Sequence, residues 1–217
     1  MIRMRLAELM AERNIKASRI SVDTGVARST LSGIVNNANK MIQLDTLNTL
    51  CNYLHSDPEK FFEYYPVDFS VSCVINSFDL TFNSENEGEH WYLNIGQLDA
   101  DVYVKLTGTI TRTYELQASL AEDEQIQGYE TYTEAGPTIA STTLQVVIND
   151  PTESAEQEGQ FLRFVYDNVP AGFHSGLRSD LASAISAEIG SRISEVSGIE
   201  PSPETYQIRF EFSDFYI

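Results

Sequence analysis

The sequence predicts two domains of different fold class, an all-α domain over residues 1–66 and an α+β domain over residues 67–217. The first observation is charge: residues 1–66 hold eight Lys and Arg against seven Asp and Glu, whereas residues 67–217 hold six against 25. The second is hydrophobic periodicity, which changes from helical spacing to alternation at Pro66. Such asymmetry indicates that the two parts have separate roles.

Composition narrows the class of protein. The chain has 217 residues, of which 42% are hydrophobic and 11% aromatic, and this excludes disorder throughout. Its apolar runs are shorter than the roughly 18–20 residues of a membrane span, and its two cysteines are too few for a disulfide framework. We therefore expect a soluble cytoplasmic protein. The net charge of −18 argues against nucleic acid as a partner, but residues 1–66 carry only +1.

Apolar residues at helical spacing predict the elements of the first domain. Ile2, Leu6 and Leu9 share one face of a helix, and leucines repeat that spacing over residues 44–54. The dipeptide Asp57-Pro58 suits the start of a further helix, with an Asp cap and Pro in the first turn. The five predicted helices span residues 2–13, 17–24, 28–36, 44–54 and 58–64.

The second and third of these helices form a helix-turn-helix pattern. Gly25 between them suits a tight turn with positive φ, and Val26 is placed to fill the angle between the helices. The residues at positions that two crossing helices bury are Ile20, Val26, Leu31 and Ile34. We assign four residues to core packing: Leu31, Ile34, Leu47 and Leu50.

These helices and their spacing resemble the Xre, or lambda-repressor-like, helix-turn-helix family over residues 2–65. The similarity is strongest in IQLDTLNTLCNYLHSDPEKFFEY, which follows the family's leucine-rich fourth helix, short turn and fifth helix. The resemblance implies a lambda-repressor-like domain that binds double-stranded DNA, with helix 28–36 in the major groove.

The resemblance also implies which residues contact DNA. By position, Arg28 and Ser29 would read base edges, and Asn39 in the following loop would make another base contact. The chemistry agrees, because Arg binds guanine through two hydrogen bonds and Ser, Thr and Asn carry short donors and acceptors. The other implied contacts are Thr30, Ser32 and Asn36 to bases or phosphates, and Lys16 and Arg19 to the DNA backbone.

The sequence departs from the usual pattern of the family at three positions. Ala17 stands where the family often has a Gln that clamps the backbone, and Ala27 replaces the Ser that often caps the third helix, a loss of about 1 kcal/mol. Asn37 replaces the usual Gly but tolerates a left-handed conformation. A domain that pairs with protein instead of DNA is the alternative that these departures leave open.

The second domain has the pattern of a mostly antiparallel sheet with one long amphipathic helix, which is an α+β domain. β-branched and aromatic residues alternate with polar ones through most of it. The predicted helix spans residues 174–197, where apolar residues form one stripe. The predicted strands span residues 67–75, 78–83, 90–95, 101–116, 128–133, 142–149, 160–167 and 204–217.

The sequence predicts no enzyme, metal or cofactor site. The dipeptide Ala135-Gly136 resembles the cleaved bond of self-cleaving repressors, but Lys105, the single lysine of this region, precedes it, and such a mechanism needs a lysine after it. Asp99 and Asp101 lack the surroundings of a calcium loop. The three histidines, His55, His90 and His174, lack the spacing of a metal motif.

We therefore expect a sequence-specific transcriptional regulator, a dimeric repressor of prophage or mobile-element type. Its acidic domain would supply dimerisation or the sensing of a protein or small-molecule effector. The acids at residues 122–124 and at Glu153, Glu156 and Glu158 would form solvated faces that repel DNA. The alternative is an antitoxin-like or anti-repressor module whose acidic domain binds a basic protein.

Overall fold

The computed structural model describes residues 1–39, 41–85, 90–129, 140–152, 159–197 and 206–213. The chain divides into two compact units, Met1–Asp68 and Phe69–Ile217. None of the helices in the described residues is long and apolar enough to span a membrane.

The first unit is a cluster of short helices around one core. The helices are α1 (Leu6–Glu12), α2 (Ala17–Thr24), α3 (Arg28–Val35), α4 (Leu44–Leu54) and α5 (Pro58–Phe61). The buried residues of its core are Met4, Leu6, Leu9, Ile20, Leu31, Ile34, Leu47, Leu50, Cys51, Leu54 and Phe61. The apolar face of each longer helix thus points to the same core, as the helical spacing predicts.

The ends of the first and last predicted helices were wrong, because residues there pair as strands. β1 (Ile2–Met4) and β2 (Phe62–Tyr64) form an antiparallel ribbon in which Ile2 lies opposite Tyr64. The Nε of Arg3 donates to Glu63 Oε2 at 2.6 Å across this ribbon. The Asn37 side chain accepts from the Met4 N–H at 2.5 Å and donates to the Met4 carbonyl at 3.0 Å, which gives β1 partners on its other edge.

The start of α5 also differs in detail from its prediction. Asp57 occupies the N-cap position and Pro58 the first turn, but the Asp57 side chain makes no capping hydrogen bond. The local sequence therefore sets where this helix begins through the fixed φ of proline.

The turn between α2 and α3 has the predicted left-handed conformation. Gly25 has φ of +75°, and its N–H donates to the Ser21 carbonyl at the end of α2. Val26 is partly buried against the core. Asn37, which follows α3 in place of the usual glycine, has φ of +52°. Both positions confirm what the sequence predicts about the local backbone.

Substituting Gly25 by Ala is expected to destabilise the first unit by about 1–2 kcal/mol, because an L residue at this φ crowds its own carbonyl. A Cβ at Gly25 meets no atom within 4 Å, so backbone strain is the sole source of this cost. Gly176→Ala is the matched control, since its Cβ is equally free but Gly176 lies inside a helix. Denaturant unfolding of Gly176→Ala should show an increase of up to about 1 kcal/mol in the free energy of unfolding. Equal stability of Gly25→Ala and the wild type would contradict the strain.

The second unit is built on a six-stranded sheet in the order β3-β4-β5-β7-β8, with β6 paired to β4. The β4–β5, β4–β6 and β5–β7 pairs are antiparallel, and β7 and β8 are parallel. The strands are β3 (Val67–Glu85), β4 (His90–Gly108), β5 (Arg112–Leu120), β6 (Glu124–Tyr129), β7 (Ala140–Asn149) and β8 (Tyr206–Ser213). The region is thus rich in sheet, as predicted, although the parallel pairing of β7 with β8 was not predicted.

Several predicted strands have other limits in the structure. The predicted strands over residues 67–75 and 78–83 form one strand, β3. Residue 101, where another strand was predicted to begin, lies inside β4. Along β4 the buried positions change from odd to even residue numbers near Gly96. A Cβ on Gly96 would come within 3.0 Å of the Asp79 Cβ, so β3 and β4 approach closely there. The predicted strands 128–133 and 204–217 extend beyond the described residues. Residues Ala135, Gly136, Glu153, Glu156 and Glu158 also lie outside them.

Two helices, not one, belong to the second unit among the described residues. The long predicted helix is α7 (His174–Ser197), whose buried stripe runs through Leu177, Leu181, Ile185, Ile189 and Ile193. A 3-10 turn at Ala171–Phe173 precedes it.

The prediction of a strand over residues 160–167 was wrong, because this segment is the helix α6 (Gln160–Asn168). Phe161, Val165 and Val169 are buried at a spacing of four, which fits a helix. The buried carboxylate of Asp150 accepts the Phe161 N–H at 2.8 Å and so holds the first turn.

Candidate nucleic-acid interface

The helix α3 presents a polar face next to the turn that Gly25 makes. Leu31 and Ile34 anchor the opposite face in the core. The exposed residues of α3 and its end are Arg28, Ser29, Ser32 and Asn36, and Thr30 is half-buried. The Asn36 amide donates to Ser32 Oγ at 3.4 Å, one turn away on the same face. The structure thus brings Arg28, Ser29, Ser32 and Asn36 onto one side of a single short helix. The predicted contact Thr30 lies on another side, where it lines a separate pocket with Gly25 and Asp45.

Asn39 lies beside α3 although it follows Ser32 by seven positions in the chain. Its amide packs on Gly33, where an added Cβ would come within 2.3 Å of Asn39 Oδ1. The Asn39 Nδ2 also donates to the Thr30 carbonyl at 3.5 Å. Glycine at position 33 is therefore what lets the loop residue rest against the helix and join its polar face.

The two basic residues predicted on α2 meet Arg28 in an open cleft of about 490 Å³. Lys16 occupies the N-cap of α2, and Arg19 lies in the first turn of the helix. The cleft lining comprises Asn14, Ile15, Lys16, Ser18, Arg19, Val22 and Arg28. Three cations from two helices thus line one concave surface at the helix-turn-helix, which suits a polyanion.

Ion pairing separates the basic residues of this unit into two groups. Arg3 pairs with Glu8 and Glu63, and Arg13 donates to the Leu54 carbonyl at 2.7 Å, so both hold the fold together. Lys16 and Arg28 form no ion pair within the described part of the chain. The cations that the fold leaves unpaired in the cleft are thus two that the sequence assigned to DNA.

The first turns of α2 and α3 carry backbone donors without side-chain caps. Neither Lys16 nor Ala27, their N-cap residues, makes a capping hydrogen bond from its side chain. This agrees with the cap that Ala27 was predicted to lack. Uncapped N–H groups and the positive end of a helix favour an anion.

Arg19 is bound within a small network that the sequence analysis missed. Its Nε donates to Asp23 Oδ2 at 2.7 Å, and the Tyr53 hydroxyl of α4 donates to the same oxygen at 2.7 Å. The hydrogen bonds from Tyr53 and Arg19 hold the pKa of Asp23 below its ordinary value. The spacing of Arg19 and Asp23, four residues apart on a predicted helix, was a signal that could have found this pair.

Val22 is a second residue that the sequence analysis missed. Its side chain is 74% exposed, although valine favours the interior. It lies in the cleft with Arg19 and Arg28, so an apolar group sits among the cations. No pattern in the sequence distinguishes this valine from a buried one.

The described histidine and cysteine side chains that could bind a metal or act in catalysis have structural roles. The His174 ring lies 2.8 Å from the Val169 carbonyl, and His55 ends α4 with φ of +49°. Burial, with Glu188 and Asp101 nearby, raises the pKa of Cys73 to about 11, so this thiol stays protonated at neutral pH. No group of three or more His, Cys, Asp or Glu side chains suited to a metal occurs within the residues described.

Residues 5–66 match the family model of the Cro/C1-type HTH DNA-binding domain. This match confirms the resemblance that the sequence showed, over less than a third of the chain. No curated protein matches the chain, and the C-terminal region is not recognised. The match supports a DNA-binding regulator with DNA as its partner.

Proposed function

We propose that this chain is a sequence-specific transcriptional regulator that reads the major groove with α3 and represses transcription as a homodimer. The observation that carries the proposal is the cleft beside α3, where Lys16 and Arg28 have no ion pair within the described residues. Within it, Arg28 supplies base recognition, since a guanidinium can donate two hydrogen bonds to guanine.

The remaining polar residues of α3 supply shorter contacts. Ser29, Ser32 and Asn36 lie on the exposed face and can donate to or accept from base edges and phosphates. Asn39 joins them because it rests on Gly33. Lys16 and Arg19 contact the phosphates that flank the groove, together with the first N–H groups of α2.

A dimer follows from the size of the surface. A single helix-turn-helix buries little area on DNA, so two copies normally bind half-sites about 34 Å apart. The second unit supplies the dimer contact or the sensing of an effector. A prophage or mobile-element setting rests on the family resemblance alone.

The test compares the full chain with residues 1–68 on genomic fragments, including the region upstream of its own gene, across a salt series. The fragment has its own core and carries eight basic and eight acidic residues, whereas residues 69–217 hold six basic and 24 acidic. We expect specific binding by the full chain that falls steeply with salt. We also expect tighter non-specific binding by the fragment, because the acidic unit repels DNA. Salt-insensitive or undetectable binding by both proteins would refute the proposal.

The acidity of the second unit supports one rival, an antitoxin-like or anti-repressor module that binds a basic protein. Asp99, Asp101 and Glu115 lie on β4 and β5, and Asp101 and Glu115 both raise the pKa of Tyr103 through their negative charge. A basic protein that co-purifies with the chain and is retained by residues 69–217 would favour this rival.

A further inference from the structure

The side chain of Arg19 is oriented by two groups that make no other contribution to the cleft. Asp23 accepts from the Arg19 Nε at 2.7 Å, and this pair lies within α2. The Tyr53 hydroxyl reaches the same Asp23 oxygen from α4. The orientation of Arg19 is therefore tied to the packing of two helices, not to its own rotamer preference.

This arrangement leaves the phosphate-binding end of Arg19 open. The bond to Asp23 uses Nε, and Asp23 together with the nearby Tyr53 hydroxyl raises the pKa of the Arg19 guanidinium. The Arg19 side chain is 70% exposed, and it lines the cleft with Lys16 and Arg28. A guanidinium held by Nε still presents its two terminal nitrogens, which match two oxygens of one phosphate.

We propose that Asp23 and Tyr53 are positioning residues that orient Arg19 toward a single phosphate of the DNA backbone. A free arginine loses rotamer freedom when it binds, whereas Arg19 is already ordered, so less affinity is lost on binding. This inference rests on the proposed function and specifies how one contact of that site is made.

The opposing effect is charge. Asp23 lies beside a cation that binds a polyanion, and its negative charge repels the same phosphate. Asp23 is accessible to water, so this repulsion is screened, whereas the hydrogen bond to Arg19 Nε has fixed geometry. Orientation is therefore the larger effect, and removing it weakens binding.

The test is a double-mutant cycle on the full chain with the duplex that it binds best. Tyr53→Phe removes the hydroxyl alone and should weaken binding about two- to tenfold, the cost of ordering one long side chain. It should leave the salt slope unchanged, since no charge is lost, whereas Arg19→Ala should lower that slope by about 0.9. In the Arg19→Ala background, Tyr53→Phe should have no further effect.

Three further variants separate orientation from other causes. Asp23→Asn should also weaken binding. Arg19→Lys should bind more weakly than the wild type although it keeps the charge, because an ammonium has no Nε for Asp23 to hold. Tyr64→Phe is the matched control, since Tyr64 is an exposed tyrosine of the same unit that lies on β2 and is not part of the network of Arg19, Asp23 and Tyr53. Thermal unfolding of each variant shows whether the fold is intact.

Each outcome decides the inference. Equal weakening by Tyr53→Phe with and without Arg19 would overturn it and assign Tyr53 a structural role. Tighter binding by Asp23→Asn would overturn it in favour of charge repulsion. If the wild type binds no duplex, the proposed function fails as well, whereas wild-type binding without coupling refutes the positioning role alone.

Discussion

Asp150→Ala is expected to destabilise the second unit by about 2–4 kcal/mol, because it leaves buried donors without an acceptor. Asp150 is 5% exposed, and it is the one buried charged side chain within the described residues. Its Oδ2 accepts the Phe161 N–H at 2.8 Å, and its Oδ1 accepts the Thr152 N–H at 2.9 Å and the Thr152 hydroxyl at 2.5 Å. The substitution therefore detaches the start of α6 from the end of β7.

Denaturation followed by tryptophan fluorescence measures this effect in the right unit. Trp91 is the single tryptophan of the chain, and it lies on β4 with 9% of its surface exposed. Asn149→Ala is the matched control, since it changes the exposed neighbour of Asp150 and should shift stability by less than about 0.5 kcal/mol. A midpoint for Asp150→Ala equal to that of the control would show that the carboxylate does not hold α6.

The same carboxylate explains why α6 was predicted as a strand. Phe161 and Val165 fit both an alternating pattern and a spacing of four, and short apolar segments do not distinguish the two. The deciding contact comes from Asp150, eleven residues earlier. An added Cβ on Gly159 would lie 2.4 Å from the Asp150 carboxylate carbon, so a glycine there admits the contact. No local pattern reveals a partner chosen by tertiary packing.

The β1–β2 ribbon was missed for a similar reason. Ile2 and Leu6 have helical spacing, yet Ile2 pairs with Tyr64 across 62 residues of chain. By contrast, α2, the turn at Gly25 and α3 were predicted closely, because their signals are local: one glycine with positive φ and apolar residues one helical turn apart.

The candidate site divides in the same way. The resemblance named the residues on the exposed face of α3, since a helix fixes which residues share a face. Sequence could not separate Arg3, held by Glu8 and Glu63, from Arg28, which has no ion pair in the described residues. That difference depends on residues brought near by the fold. This difference in ion pairing also explains how a unit with a net charge near zero has a basic cleft.

Arg28→Ala is expected to weaken binding to the preferred duplex by about 1–3 kcal/mol, or about 5- to 150-fold, and to relax the preference at one base pair. Arg28 begins α3 and is exposed. Its removal therefore disturbs neither a core contact nor an ion pair of the described residues, and the unfolding midpoint should stay unchanged. The measurement is the affinity for a set of duplexes that differ at single base pairs, each over a salt series.

Arg28→Lys separates base recognition from phosphate binding. Lysine keeps the charge but lacks the planar fork that matches guanine, so Arg28→Lys should bind random DNA as the wild type does and should still lack the preference at that base pair. The salt slope supplies the second criterion: a base contact leaves it nearly unchanged, whereas loss of a phosphate contact lowers it by about 0.9. Uniform weakening across all duplexes, with a lower slope, would make Arg28 a backbone contact beside Lys16 and Arg19 in the cleft. Base recognition would then rest on Ser29, Ser32 and Asn36, whose single hydrogen bonds discriminate less between base pairs.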